Sequence, residues 1–376
     1  MEVLSAAAAR QRTHGDVVSM CAGQPTAGAP KPVLAAASEV LASGDIGYTV
    51  QLGIPELREA IAGHYDRSYG VQVSPDDVIV TTGSSGGFLL AFLSAFEAGA
   101  RVAMARPGYP AYRNLLSALG CQVVEFTTGA DTRFQPTVTM LDELHREQPL
   151  DGVIVASPSN PTGTMLPPGE LAAIAGWCSS HGVQLISDEI YHGICYTGEA
   201  ATAWQTSSES IVLGSFSKYF AMTGWRLGWM LVPQRLHRAV DVLTGNFTIC
   251  PPTLSQRAAV AAFTEESYAE LDGHVRHYRK NRDTLLAGLP SIGIDKIAPI
   301  DGAFYVYADV SEYTDDSLSW CQRLLSDTGV AITPGIDFDP VDGGRFVRFS
   351  FAGPASDIDV CLDRMGRWLR ETPRTP

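Results

Sequence analysis

The sequence has few basic residues for its length. Lys and Arg together number 27 among 376 residues, against 41 Asp and Glu, so the net charge at pH 7 is −14. Nonspecific binding to nucleic acids or to anionic membrane surfaces requires a basic face. We therefore expect neither a nucleic acid nor a membrane among its binding partners.

Long apolar runs and paired cysteines are also lacking. No window approaches the roughly 20 apolar residues of a transmembrane helix. The alanines at 6–9 are followed by Arg10 and Arg12 rather than by the apolar core of a signal peptide. The seven cysteines are scattered and form no CxxC pair, which favours reduced thiols over disulfides or a zinc site. The sequence therefore predicts a soluble, cytoplasmic protein.

Several common site motifs are absent as well. The histidines show no metal-binding spacing, and no Ser/His/Asp or Cys/His arrangement can be assembled with any specificity. The Gly/Ser-rich stretch at 81–87 is not a Walker loop, because the lysine is missing, and it is not a GxGxxG fingerprint. We expect no metal site.

The sequence does contain a regular alternation of short apolar runs and helical stretches. Hydrophobic residues make up 45% and charged residues 18%, as in ordinary globular proteins, and 376 residues favour two domains. The predicted strands are 78–80, 101–104, 122–125, 152–156, 183–187 and 211–214, and the predicted helices include 55–65, 88–96 and 170–179. This alternation predicts an α/β fold whose large domain, 31–264, has a mostly parallel, doubly covered sheet.

The pattern changes after about residue 265. A long polar helix at 268–289 leads to alternating segments at 303–310 and 345–351. We interpret residues 1–30 and 265–376 together as a smaller α+β domain. In open α/β sheets, ligands bind beyond the carboxyl ends of the strands, and the chemically suggestive residues of this chain follow the predicted strands.

Lys218 is the most informative of these residues. It follows the apolar run at 211–213, has Ser215 and Ser217 before it, and lies among aromatic residues at 216, 219, 220 and 225. Burial in such surroundings disfavours the ammonium and frees the amine for Schiff-base chemistry. Arg226 follows eight residues later.

Two loops after other strands contain candidate contacts for a phosphate and for an aromatic ring. Ser84 and Ser85 lie in a Gly/Ser turn that opens a helix, where free backbone N–H groups can hold a phosphate, although most such turns are only turns. Tyr109 follows the strand at 101–104, and stacking on an aromatic ring would contribute about 0.5 to 1.5 kcal/mol. A half-buried tyrosine in a Pro-Gly turn is the simpler interpretation of that motif alone.

Polar side chains at two further strand ends add to this pattern. Asn160 lies between two X-Pro steps in Ser-Pro-Ser-Asn-Pro, which is also typical of an ordinary Asn-Pro turn. Asp188 ends a buried strand, with Tyr191 three residues later. A buried carboxylate needs a positive partner, such as a pyridinium nitrogen, although a helix cap or a structural ion pair would also account for it.

Arg348 alternates with apolar residues on the predicted strand at 345–351. A guanidinium aimed into a cleft from such a strand is a receptor for a carboxylate. For an arginine on its own, a surface salt bridge is the usual interpretation.

In order and spacing, these motifs together resemble the class I and II aminotransferases, enzymes of fold type I that use pyridoxal 5′-phosphate (PLP). The resemblance extends from about residue 23 to residue 351. It implies that Lys218 forms the internal aldimine and later moves the proton at the substrate Cα, and that Asp188 pairs with the pyridine nitrogen. The other roles that it implies are contacts of Tyr191 and Asn160 with the phenolic oxygen, stacking of Tyr109 on the ring, phosphate binding by Ser84, Ser85, Ser215, Ser217 and Arg226, and substrate carboxylate binding by Arg348.

The resemblance also implies an assembly. Tyr48 matches the family tyrosine that reaches the phosphate of the neighbouring subunit, so a homodimer with shared active sites is expected. Gly23 matches a flexible segment that closes over the substrate, bringing the small domain and Arg348 toward the cofactor.

The expected reaction is amino transfer from an L-amino acid to a 2-oxo acid. No second arginine for an acidic side chain is apparent, and the loop at 246–252 is apolar, which favours a neutral or hydrophobic substrate side chain. A PLP-dependent β-eliminating C–S lyase, or another specialised PLP enzyme, would need the same lysine, aspartate and arginine. A PLP-sensing regulator is disfavoured, because only about thirty residues precede the predicted fold, too few for a DNA-binding domain.

Overall fold

The structure, a computed structural model, describes residues 2–371. The helices are α1 (Glu2–His14), α2 (Lys31–Ser43), α3 (Pro55–Tyr69), α4 (Gly83–Ala95), α5 (Pro110–Ala118), α6 (Val138–Glu147), α7 (Pro168–His181), α8 (His237–Phe247), α9 (Thr253–Ala259), α10 (Glu265–Ser291), α11 (Ser317–Thr328) and α12 (Ala355–Glu371). The strands are β1 (Val18–Ser19), β2 (Val78–Thr81), β3 (Arg101–Arg106), β4 (Gln122–Thr127), β5 (Gly152–Ala156), β6 (Gln184–Asp188), β7 (Ile211–Ser215), β8 (Gly228–Leu231), β9 (Tyr305–Asp309), β10 (Val330–Ala331), β11 (Thr333–Pro334) and β12 (Phe346–Ser350).

A seven-stranded sheet forms the centre of the fold, in the order β2-β8-β7-β6-β5-β3-β4. The pairs from β7 to β4 are parallel, and only β8 runs antiparallel to its neighbours β7 and β2. Successive residues of β6 point to opposite sides, since Leu185 and Ile186 belong to separate apolar clusters on the two faces. The predicted α/β class with a mostly parallel, doubly covered sheet is confirmed.

The carboxyl ends of β5, β6 and β7 lie side by side. Ala156 pairs with Asp188, and Asp188 pairs with Leu213. Residues that directly follow these strands are therefore brought to one edge of the sheet, even though up to sixty residues separate them in sequence.

The strand β8 was not predicted from the sequence. It pairs antiparallel with β7, and Ser215 lies opposite Gly228. The ends of the intervening loop, 216–227, are thus held together by strand pairing, and this loop carries both Lys218 and Arg226.

A second, antiparallel sheet has the order β11-β12-β9, and a short parallel pair joins β1 to β10. In the three-stranded sheet Arg348 pairs with Thr333 on one side and with Tyr307 on the other. The pairing of Val18 with Val330 brings the N-terminal segment next to the C-terminal part of the chain. Met1 and residues 372–376, which belong to the predicted small domain, lie outside the described residues.

Helix starts and ends follow local chemistry. Proline occupies the first turn of α2, α3, α5 and α7, where its missing N–H needs no partner. The helix α10 begins after Thr264, whose side chain accepts a hydrogen bond from the backbone N–H of Ser267.

In the part of the chain that the structure describes, no helix combines the length and apolar character needed to cross a membrane.

Candidate active site

A cavity of about 650 Å³ lies at the carboxyl ends of the central strands, facing the three-stranded sheet. The predicted site residues that line this cavity are Gly23, Ser84, Ser85, Tyr109, Asn160, Asp188, Tyr191, Ser217, Lys218, Arg226 and Arg348. Helix α1 also contributes to the lining, through Val3 and Leu4.

Lys218 extends into the cavity from the loop after β7. Its Nζ donates a hydrogen bond of 2.6 Å to the carbonyl oxygen of Gly23 and lies 5.6 Å from the centre of the Tyr191 ring. The pKa of Lys218 is lowered to about 8, mainly by burial and then by the charge of Arg348, while Asp188 opposes the shift. The neutral, nucleophilic fraction of this amine near pH 7 is therefore about a tenth, far more than for a lysine with the usual pKa.

Asp188 is buried at the end of β6, with 3% of its surface exposed. Its Oδ1 accepts a 3.1 Å hydrogen bond from the backbone N–H of Ile190, and its Oδ2 accepts one from the hydroxyl of Tyr112. Burial raises the pKa of Asp188 to about 6, and the two hydrogen bonds and Lys218 oppose that shift. None of the salt bridges within residues 2–371 involves Asp188, so the site can accept a cation at this carboxylate.

The start of α4 and Arg226 form one end of the cavity. Ser84 and Ser85 lie in the first turn of the helix, after Gly83, whose φ is +69°. A Cβ added at Gly83 would lie 2.4 Å from Nη2 of Arg226, so only glycine permits this approach of the guanidinium. Free N–H groups and a guanidinium at one point suit a phosphate.

Arg348 lies on β12 with 6% of its surface exposed. Its Nη1 donates a 2.8 Å hydrogen bond to Oδ1 of Asn160, and its Nη2 donates one of 2.8 Å to the carbonyl oxygen of Cys21. The guanidinium carbon lies 4.3 Å from the centre of the Tyr305 ring and 4.8 Å from that of Phe338. Nε is buried without a hydrogen-bond partner among the described residues. An orphaned donor on a fixed guanidinium is what a carboxylate receptor requires.

The remaining aromatic residues close the cavity. The hydroxyls of Tyr191 and Tyr305 lie 2.7 Å apart, and burial raises the pKa of Tyr191 well above its usual value. Tyr109 immediately precedes α5, and its ring meets that of Tyr112 edge to face at 5.4 Å between centres. A Cβ added at Gly23 would lie 2.5 Å from the hydroxyl of Tyr305, so this position too needs glycine.

Two predicted residues do not line the cavity. Tyr48 is 83% exposed, on the segment between α2 and α3. Ser215 is buried, and its Oγ accepts a 3.0 Å hydrogen bond from the backbone N–H of Ser217.

Tyr112 and Tyr305 were not predicted from the sequence. Tyr112 lies in the first turn of α5, three residues after Tyr109, and this spacing of about one helical turn could have indicated it. Tyr305 lies in the predicted strand at 303–310, but its contact with Tyr191 spans 114 residues, so no local pattern indicates it.

The groups in the cavity fit PLP. Lys218, an amine with a lowered pKa, lines the same cavity as Asp188. The buried carboxylate of Asp188 has no salt-bridge partner among the described residues and can hold a pyridinium nitrogen. Ser84, Ser85 and Arg226, which suit a phosphate, line the same cavity as Tyr109, which can stack on an aromatic ring. The residues present thus supply a partner for each part of this cofactor.

Comparisons with known proteins agree with this assignment. The model of the family "Aminotransferase class I and II" matches residues 15–365. The valine–pyruvate aminotransferase of Mycobacterium tuberculosis is 65% identical over 371 residues, which cover 98% of this chain and 95% of that protein. The aspartate/prephenate aminotransferase of Thermus thermophilus is 34% identical, covering 97% of this chain and 94% of that protein.

A solved structure gives the same result. The crystal structure of an aminotransferase from Mycobacterium tuberculosis superposes with a TM-score of 0.97 at 64% identity, covering 99% of this chain and 96% of that one. These relatives are all named as aminotransferases, so the alternative of a C–S lyase gains no support. The chain belongs to the class I and II aminotransferases, PLP-dependent enzymes that transfer an amino group from an amino acid to a 2-oxo acid.

Proposed function

We propose that this enzyme transfers the amino group of a neutral, apolar L-amino acid of the valine type to a small 2-oxo acid such as pyruvate. The observation that carries the proposal is the orphaned guanidinium donor, Nε of Arg348, a residue that lines the same cavity as Lys218. The name of the 65% identical relative, valine–pyruvate aminotransferase, supports the same pair of substrates.

The charges around the cavity disfavour an acidic substrate side chain. Arg226 lies at the phosphate end, and Arg113, which also lines the cavity, is paired with Glu125 at 2.8 Å. Asp337 adds a negative charge to the lining. Within the described residues, the cavity thus offers one carboxylate receptor, and Leu4 and Ile336 contribute apolar surface.

When bound, PLP supplies the electron sink that allows the proton on the substrate Cα to leave. In our proposal Lys218 would hold the cofactor covalently until the amine of the substrate displaces it, and the freed amine of Lys218 would then move that proton. Asp188 keeps the pyridine nitrogen protonated, while Asn160 and Tyr191 contact the phenolic oxygen. Arg348 orients the substrate through its α-carboxylate, which places the Cα–H bond next to the lysine.

The other predicted residues hold the cofactor. Tyr109 stacks on the ring, and the phosphate is bound by Ser84, Ser85, Ser215, Ser217 and Arg226. The segment at Gly23 closes over the substrate together with the three-stranded sheet, which excludes water from the reacting atoms. The hydrogen bond from Lys218 to the carbonyl of Gly23 supports this role of the segment.

We propose further that the enzyme is a homodimer in which Tyr48 reaches the phosphate of the neighbouring subunit. Exposed apolar side chains on the segment that carries Tyr48, on α2, and on or just after α8 support an interface there. They are Leu34, Leu41, Ile46, Val50, Val242, Phe247 and Ile249. Sedimentation analysis should give the mass of two chains, and Tyr48→Phe should weaken PLP binding without dissociating the dimer. A monomer that retains full activity would contradict this assembly.

We also propose the division into a large domain, 31–264, and a small domain, 1–30 with 265–376. The seven-stranded sheet within the first range and the pairing of β1 with β10 in the second support it. A cytoplasmic location is proposed because all seven cysteines are free, as a reducing compartment requires.

The substrate proposal is tested with a panel of L-amino acids and pyruvate. The PLP-loaded enzyme should convert valine to its 2-oxo acid and form one alanine for each, as measured by mass spectrometry. Aspartate should react at least about 100-fold less well, because its second carboxylate would lack a partner. A preference for aspartate would overturn the proposal, and release of ammonia and pyruvate from a cysteine S-conjugate would indicate elimination instead.

A further inference from the structure

Tyr112 connects the start of α5 to the end of β6. Its side chain is 4% exposed and packs against the Phe88 ring, with the two ring centres 5.0 Å apart. Its hydroxyl donates a hydrogen bond to Oδ2 of Asp188, a residue 76 positions away in sequence. Phenylalanine would fill the same space, so the hydroxyl itself calls for an explanation.

The hydroxyl acts on a carboxylate that burial drives toward the neutral form. Burial is the largest influence on the pKa of Asp188, and the hydrogen bond from Tyr112 is the largest opposing one. The second opposing bond comes from the backbone N–H of Ile190 to Oδ1. Each oxygen therefore has one donor, and the two donors fix the plane of the carboxylate.

We propose that Tyr112 is a positioning residue, which keeps Asp188 ionised and oriented toward the pyridine nitrogen of PLP. This inference rests on the proposed function, in which Asp188 pairs with that nitrogen. Helix α5 then serves the cofactor twice in one turn. Tyr109, just before the helix, faces the ring, and Tyr112 acts on the ring nitrogen through Asp188.

Other ionisable groups also surround Asp188, and all of them remain when Tyr112 is replaced. They are Tyr109 before α5, Glu189 and Tyr191 after β6, and Lys218 after β7. Lys218 favours the ionised form of Asp188. Burial raises the pKa of Glu189 to about 8 and raises those of both tyrosines, so these three are mostly neutral at pH 7.

Removal of the Tyr112 hydroxyl should raise the pKa of Asp188 and thereby weaken PLP binding at low pH. Asp188 has a pKa of about 6 with Tyr112 in place. Loss of a hydrogen bond to a charged group should raise it by about one to two units. Because PLP binding uses the ionised carboxylate, the Kd for PLP of Tyr112→Phe should exceed that of the wild type about five- to fiftyfold at pH 6 and match it at pH 9.

The experiment measures PLP binding to the apo form of the full chain by equilibrium dialysis between pH 6 and pH 9. Tyr307→Phe is the matched control, since Tyr307 is 1% exposed and its hydroxyl has no partner among the described residues. The Kd for PLP of Tyr307→Phe should equal that of the wild type at every pH. Circular dichroism and thermal unfolding establish that each variant is folded.

Asp188→Asn separates this inference from the proposed function. If Asp188→Asn binds PLP as tightly as the wild type, the role proposed for Asp188 itself is wrong. If Asp188→Asn weakens binding but Tyr112→Phe has no effect, or the same effect at every pH, only the role of Tyr112 is overturned. In an Asp188→Asn background, Tyr112→Phe should change nothing further.

If Tyr112→Phe does not fold, a second variant tests the hydroxyl without removing it. 3-Fluorotyrosine at position 112 has a more acidic hydroxyl and is therefore a stronger donor. It should bind PLP more tightly than the wild type between pH 5 and pH 6, the opposite of the effect of Tyr112→Phe. An unchanged affinity over that range would overturn the inference.

Discussion

Replacement of Arg348 by methionine tests how the enzyme recognises its substrate. The change removes the guanidinium and keeps an unbranched apolar stem between the rings of Tyr305 and Phe338. In our proposal the substrate carboxylate accepts hydrogen bonds from the orphaned Nε and from Nη2, which shares one edge of the guanidinium with Nε, in place of the 3.2 Å bond from Nη2 to Oγ1 of Thr333. Each such bond to a charged group contributes about 1.5 to 3 kcal/mol. The loss of both should lower kcat/KM for valine by at least about 150-fold.

A lower rate with valine would not by itself show that Arg348 contacts the substrate carboxylate, because Arg348 has other effects in the site. Its charge lowers the pKa of Lys218, and it donates to Asn160 and Cys21. The assay therefore compares valine with isobutylamine, which is valine without its carboxylate, in single-turnover measurements of the cofactor absorbance. The wild type should strongly prefer valine, and Arg348→Met should lose most of that preference.

The control is Arg345→Met, three residues away, where the guanidinium is about half exposed and paired with Asp342. This variant should retain the preference of the wild type. The reasoning would be refuted if Arg348→Met lowered the rates with valine and isobutylamine by the same factor, because the guanidinium would then not contact the carboxylate.

Four further predictions concern the cofactor side of the cavity. Lys218→Ala should lose the borohydride-stabilised link to PLP seen by mass spectrometry, whereas the exposed Lys280→Ala should keep it; a surviving link would contradict the assignment. In the apo-protein, labelling of Lys218 by cyanate should rise with pH with a midpoint near pH 8, because its pKa is lowered to about 8; a midpoint near pH 10 would contradict the burial argument. Gly23→Ala should raise KM at least about tenfold, because its Cβ would meet the Tyr305 hydroxyl at 2.5 Å; unchanged kinetics would refute this. Arg226→Gln should weaken PLP binding about 100-fold but hardly affect pyridoxal, which lacks the phosphate; equal losses would contradict a phosphate contact.

Much of the site was predictable from the sequence because its residues follow strands. Asn160, Asp188 and Lys218 come after the apolar runs that form β5, β6 and β7. Since parallel strands end at the same edge of a sheet, local patterns were enough to bring these three together. The prediction of an α/β fold rested on the same alternation.

Contacts between distant segments were not predictable in this way. The hydrogen bond from Arg348 to Asn160 spans 188 residues, and the one from Tyr112 to Asp188 spans 76. Strand β8 was not predicted, and its antiparallel direction depends on its pairing with the distant strand β2 and with β7. The sequence also did not indicate that Ser215 turns its hydroxyl toward the backbone of Ser217.

The pairing of β7 with β8 has a consequence for the redesign of this enzyme. Lys218 and Arg226 are carried on one loop whose ends, Ser215 and Gly228, are joined by the strand ladder. Arg348 lies on a separate sheet, built from segments far along the chain. The residues proposed to hold the cofactor and the receptor for the substrate carboxylate are therefore carried by two different sheets, which the hydrogen bond from Arg348 to Asn160 connects. New amino-acid specificities should be obtainable by changing the apolar lining at Leu4 and Ile336, while Arg348 and the central sheet are kept.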